Sequence, residues 1–212
     1  TSDLQWADLS GANLTAAHLW RSNLSHANLN QARMSGCSMV RTNLANSSLH
    51  MVDLRGADLS FANLNYANLE GANLAGADLT QADLSWANLA RVNLKGANLT
   101  ASVLKLADLT ESDLRGAKFT KANLESAVFY KASMGITLLA NCNLSQAIAL
   151  DSVRHTGPST ISLDTISSSR GMVPDVVSTY PAWTFVVAWN IPVARCHLQP
   201  GTSGSEPGRE SA

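Results

Sequence analysis

Large apolar residues return along this chain at every fifth position. From Leu4 to Leu144 there are 29 such positions without a slip, and only Met34, Met39, Phe119, Phe129 and Met134 are not Leu. Two residues before each stands a small or β-branched residue, Ala in 18 of the 29 and otherwise Ser, Thr, Cys or Val. The residue between them is most often Asn or Asp, as in "GANLAGADLTQADL", Gly71 to Leu84. Neither regular element accepts this period. On an α-helix a step of five turns about 140° and scatters the leucines around the circumference. On one long strand an odd step throws them to alternate faces.

The pattern is satisfied if each pentapeptide is a short extended side followed by a corner. Two inward residues flank one outward residue with strand alternation, and the next two turn the chain. A second period counts the sides. Gly36, Gly56, Gly76, Gly96 and Gly116 recur at steps of 20, as do Trp6, Tyr66 and Trp86, and Thr80, Thr100 and Thr120. Four pentapeptides therefore make one square coil, and residue n lies over n + 20. The glycines are expected at a corner that needs a positive φ or a close backbone approach. Stacked at about 4.8 Å per coil, the coils form a rod roughly 36 Å tall.

The A(D/N)LXX unit resembles the bacterial pentapeptide-repeat family over about residues 2 to 148. That resemblance implies an all-β fold, a right-handed quadrilateral β-helix of about seven coils of 20 residues, with an irregular C-terminal tail. The expected organisation is a β-helix over 1–150, a connector or cap-like tail over 151–198, and a disordered end over 199–212. The register fails at Ala149, where a large residue is due. A solenoid's last coil needs a cover, and Ile161, Leu163 and Ile166 are candidates for it. His155 to Val176 also resembles a connector that follows such repeats and in some proteins precedes a Toll/interleukin-receptor type domain; after Val177 the chain departs from that pattern. Trp183, Phe185, Val186, Val187 and Trp189 form a short apolar cluster, readable as a cap or as the remnant of a lost domain.

Charge removes some functions. The whole chain has 212 residues and a formal net charge of −1, and residues 1–150 hold eleven acidic and eleven basic side chains. Nine basic residues follow the large apolar position (Arg21, Arg41, Arg55, Arg91, Lys95, Lys105, Arg115, Lys121 and Lys131) and read as a solvated surface rather than the single stripe of a nucleic-acid track. Three cysteines give no disulfide framework and suit a reducing, cytoplasmic compartment. No signal peptide and no membrane-length apolar run occurs in these residues. Because the chain starts inside the repeat, a fragment or a trimmed product is expected.

No catalytic constellation emerges. His18, His26, His50, His155 and His197 do not stack at steps of 20, Cys196-His197 lacks a partner pair for zinc, and "GPST" at 157–160 lacks the lysine of a phosphate loop. Asn and Asp before each Leu are expected to bond along the corner and ladder. The expectation is a protein without cofactor, metal or catalysis.

The outward columns are where function can reside. Trp6, His26, Asn46, Tyr66, Trp86 and Leu106 share one edge, and aromatic residues are enriched at interface hot spots. The reading is therefore a non-enzymatic interaction or structural scaffold. Its protein partner is unidentified, and Trp6, His26, Tyr66, Trp86 and Leu106 form the candidate contact column. Neither direct nucleic-acid binding nor membrane binding is expected. A homodimer through an open coil end is an option, since unpaired strand edges invite pairing. The alternative, implied by some relatives, is a DNA-mimicking protein that binds DNA gyrase in quinolone resistance. Such mimicry requires a strongly negative surface, which a neutral rod lacks.

Overall fold

The computed structural model describes residues 2–144, 146–162 and 164–165, and the backbone of 183–186. Leu163, Ile166, Val187, Trp189 and the end from 199 lie outside the described residues, as does most of the connector-like stretch after Ser162.

From Asp3 onward the chain winds as a β-helix. Parallel bridges join the outward residue of each pentapeptide to the one twenty residues on, for example Asp3 to Asn23, Asn23 to Asn43 and Asn43 to Asn63. The same step holds up to Val128 and Ile148.

One unit explains why the motif folds this way. In Ala72–Gly76 the Leu74 N–H donates to Asn93 O at 2.8 Å, the Gly76 N–H to Lys95 O at 2.9 Å, and the Asn73 N–H to Val52 O at 2.9 Å. The Ala77 N–H closes the turn on Leu74 O at 3.0 Å. The Ala75 N–H has no backbone partner, and the Asn73 side-chain oxygen accepts it at 3.2 Å. Asn or Asp is thus preferred before the Leu because its short acceptor reaches the donor that the turn leaves over.

The same amides also bond from coil to coil. Asn43 donates to Asn23 at 3.1 Å, and Asn63 to Asn43 at 3.1 Å.

Every described corner, from Trp6 to Asn141, has a positive φ at its second residue. This is the pattern of a type II turn. The glycine column fits the expectation of a left-handed corner, but it is not special in this. Trp, Arg, Met, Phe and Glu hold the same conformation at the other corners.

Inside, the Leu columns from Leu24 to Leu124 are fully buried, with Ala, Ser, Thr or Val filling the space between them. Hydroxyls at small positions bond inward carbonyls, as Thr42 does to Leu19 O at 2.8 Å and Ser112 to Leu109 O at 2.7 Å. These buried polar groups are therefore satisfied.

The winding widens after Ile148. Ala149 turns left-handed with φ 59° and precedes a 3-10 turn, Leu150–Ser152, whose Leu150 is buried. Strand β1 (Ser133–Met134) pairs with β3 (Arg154–His155), and β2 (Leu138–Leu139) with β4 (Ser159–Ser162). The partner of Ser133 is Arg154, 21 residues on, and that of Leu138 is Thr160, 22 residues on. Two extra residues have entered the coil. Ile161 is buried, and β4 also pairs in parallel with β5 (Trp183–Val186).

Candidate functional site

The corner residues that begin at Trp6 and continue at steps of twenty stand on one edge of the helix. Trp6 and His26 stack with ring centroids 4.1 Å apart and planes 11° apart. Tyr66 and Trp86 stack at 5.7 Å and 13°. Asn46, exposed, interrupts the column between the pairs, and Leu106, half-buried, follows it. Trp6, Tyr66 and Trp86 keep 69%, 55% and 50% of their surface exposed, so the stacking leaves half or more of each open to solvent, while His26 is half-buried. The column is positioned by the ladder, because a left-handed corner directs each side chain outward and the twenty-residue step places ring over ring.

Other exposed aromatics are treated differently. The Arg21 guanidinium lies 4.6 Å from the Trp20 ring, Arg41 5.2 Å from Phe61, and the Lys131 ammonium 4.8 Å from Tyr130. Each is a cation–π contact supplied by the chain itself. The sequence reading missed these pairs, although adjacency (Arg21 beside Trp20, Lys131 beside Tyr130) and the twenty-residue step (Arg41 to Phe61) signalled them.

The charged groups form local pairs. Arg55 grips Asp53 at 2.7 Å, Lys105 meets Glu125 at 2.9 Å, and Arg115 pairs with Asp113 and Arg91 with Glu70. Hydrogen bonding from the neighbouring guanidinium holds the Asp53 and Asp113 carboxyls below their ordinary range. The Ser10 hydroxyl and N–H do the same for Asp8.

The bridge columns flanking the aromatic edge run Asp3, Asn23, Asn43, Asn63, Asp83, Val103 and Asp8, Asn28, Ser48, Asn68, Asn88, Asp108. They contain acids and no Arg or Lys, whereas the other two bridge columns include Arg33 and Lys118.

The glycine edge opposes this. A groove of about 630 Å³ opens where the coil widens, lined by Lys95, Gly96, Arg115, Gly116, Ile136 and Pro158 among others. It holds cations, bare backbone and the Thr156 hydroxyl, and none of its lining residues is His, Cys, Asp or Glu. Among the described residues no group of three His, Cys, Asp or Glu is placed to hold a metal ion, and no helix is long and apolar enough to cross a membrane. Cys37 and Cys142 are buried at small-residue positions, and burial pushes the Cys142 thiol up to about 12.

No curated protein matches the chain. Among solved structures, HetL, a pentapeptide repeat protein involved in heterocyst differentiation regulation in the cyanobacterium Nostoc sp. strain PCC 7120, is 29% identical, with 76% of this chain and 85% of HetL covered and a TM-score of 0.29. A thylakoid-lumen pentapeptide repeat protein of Arabidopsis thaliana is 32% identical over 47% of this chain and 63% of its own, with a TM-score of 0.34. QnrB1, a plasmid-mediated fluoroquinolone resistance protein, is 16% identical over 77% of this chain and 79% of its own, with a TM-score of 0.52, which is likeness of fold alone. The model of the pentapeptide repeats matches in eight copies within residues 2–39, 22–60, 37–74, 67–105 and 107–146. With a corner every five residues and a twenty-residue ladder, the chain belongs to the pentapeptide-repeat family, whose members fold as right-handed β-helices.

Proposed function

We propose that this protein is a non-enzymatic interaction scaffold, a four-sided rod of about seven coils that presents the column Trp6, His26, Tyr66, Trp86 and Leu106 to a protein partner. The observation that carries this reading is the pair of solvent-open aromatic stacks on one edge of a continuous backbone ladder. Large rigid rings that need no ordering on binding give contact area at low entropic cost. In this reading the segment 151–198 is a connector and cap, the end from 199 is a tail, and the setting is cytoplasmic.

The DNA-mimicking alternative, with gyrase as target, draws on the fold shared with a fluoroquinolone resistance protein. It has less support from charge. Asp53, Glu70, Asp113 and Glu125 are each paired with Arg or Lys. Along the aromatic edge Asp3 and Asp83 are separated by three Asn, which is not the unbroken charge of a phosphate backbone.

The test is affinity capture from source lysate with the full chain beside the Tyr66→Ser/Trp86→Ser variant. The expected result is a protein retained by the parent and lost by the variant. Equal retention by both would remove the aromatic column from the interface, and retention of gyrase would transfer the reading to the alternative.

A further inference from the structure

The aromatic column is interrupted in a way that forms a slot. Stacking at 4.1 Å and 11° turns the ring faces of Trp6 and His26 along the rod axis. The free face of His26 therefore looks toward Asn46, and the Tyr66 face not covered by Trp86 looks back at it. His26 and Tyr66 are two coils apart, about 10 Å at the spacing of stacked strands. A flat cation seated over Asn46 lies about 5 Å from each ring, within the roughly 6 Å at which a cation is held by an aromatic face. Asn46 is exposed, and among the described residues only its backbone N–H is engaged, donating to Asn65 O at 2.9 Å, which leaves its side-chain oxygen available to an N–H donor.

Two further observations favour a cationic occupant. The bridge columns on either side are neutral at the slot itself, with Asn23, Asn43 and Asn63 on one side and Asn28, Ser48 and Asn68 on the other; they carry Asp3, Asp8 and Asp83 two coils away and no basic residue. The off-column aromatics Trp20, Phe61 and Tyr130 are already covered by cations of this chain, while no described cation covers Trp6, His26, Tyr66 or Trp86. Arg41, on the neighbouring corner at the level of Asn46, is turned to Phe61. The chain thus covers its scattered aromatics itself and leaves this edge uncovered.

We propose that the slot between His26 and Tyr66, floored by Asn46, receives an arginine side chain from a basic segment of the partner protein. Arginine suits it better than lysine because the planar guanidinium stacks between rings while its edge donors reach an amide oxygen. The inference rests on the aromatic column being the contact surface and adds the chemistry of what it contacts.

The test is a nuclear magnetic resonance titration of the full chain with an acetylated five-residue peptide amide carrying one arginine among glycine and serine. The same peptide with citrulline, the neutral isostere, is titrated beside it. The arginine peptide is expected to shift the ring signals of His26 and Tyr66 and the side-chain amide of Asn46, binding about tenfold more tightly than the citrulline peptide. Asn46→Tyr, which continues the stack at a corner conformation already shared by Tyr66, is expected to abolish the response while leaving the spectrum of a folded chain. Equal binding of both peptides, or an undiminished response in Asn46→Tyr, overturns the proposal. If the arginine peptide does not bind while Tyr66→Ser/Trp86→Ser still loses its captured protein, this inference falls and the contact-surface reading stands. If neither experiment responds, both fall.

Discussion

At the edge carrying Gly36, Gly56, Gly76, Gly96 and Gly116, the φ angles run from 62° to 71°. At the edge carrying Trp6, His26, Asn46, Tyr66, Trp86 and Leu106, they run from 57° to 64°. The two edges are the same backbone, and one is bare where the other bears the largest side chains of the rod. Holding a non-glycine residue in this region costs roughly 1–2 kcal/mol, yet the aromatic edge accepts that cost at every level. Corner identity is therefore set by what the corner presents to its surroundings and not by the turn. The interior offers no such freedom, because the Leu columns beneath both edges are equally closed.

The largest effects should be blind to this difference. Leu74 precedes the Gly76 corner and Leu84 the Trp86 corner, and both are fully buried. Leu74→Ala and Leu84→Ala should each destabilise by about 2–5 kcal/mol through the lost contacts and the cavity left behind. Chemical denaturation should find the two alike. A much larger loss for Leu84→Ala would mean that the aromatic stacks belong energetically to the core, and the two edges would then no longer be comparable.

A smaller pair of substitutions tests the corner itself. An added Cβ at Gly76 meets nothing within 4 Å, so Gly76→Ala carries only backbone strain. It should cost about 1 kcal/mol, and Ala101→Gly, at a corner with φ 57°, should return a similar amount. The melting temperature should fall for the first and rise for the second. A neutral Gly76→Ala would show that these corners tolerate Cβ without strain and that glycine was placed there for bareness alone.

Much of this was legible in the sequence because the repeat writes each position's environment at a fixed offset. The five-residue step located the Leu columns, and the twenty-residue step put Tyr66 over Trp86 before any coordinate did. The glycine column was legible only in part. Recurring glycine signalled a left-handed corner but concealed that Arg41, Met51 and Phe61 occupy the same conformation. The coil beyond Ile148 was not legible. Once Ala149 adds a residue, the offset changes to 21 and then 22, and no pattern in the text announces where β3 and β4 will find their partners. The slot at Asn46 escaped notice for another reason, since a gap in an aromatic column has no signature until ring planes are known.

The smallest expected effect separates the edges by charge. Beside the glycine edge, Arg55 and Arg115 each follow an Asp that they hydrogen-bond, and each Asp is held below its ordinary range chiefly by that bond. A carboxylate with a depressed folded-state pKa contributes stability above its unfolded value, about 3.9, and the contribution is lost as pH falls through the depressed value. Arg115→Gln should therefore lower the melting temperature slightly at neutral pH, and the gap to the parent should close as pH falls through the depressed Asp113 value. The effect is small because the pair is partly exposed and screened by solvent. Tyr66→Ser removes no charge partner, and its melting temperature should run parallel to the parent's over the same range. Were the Arg115→Gln gap to persist at low pH, the arginine would be stabilising the corner through its aliphatic stem over the glycines and not through Asp113, and the glycine edge would count as a packed surface rather than a bare one.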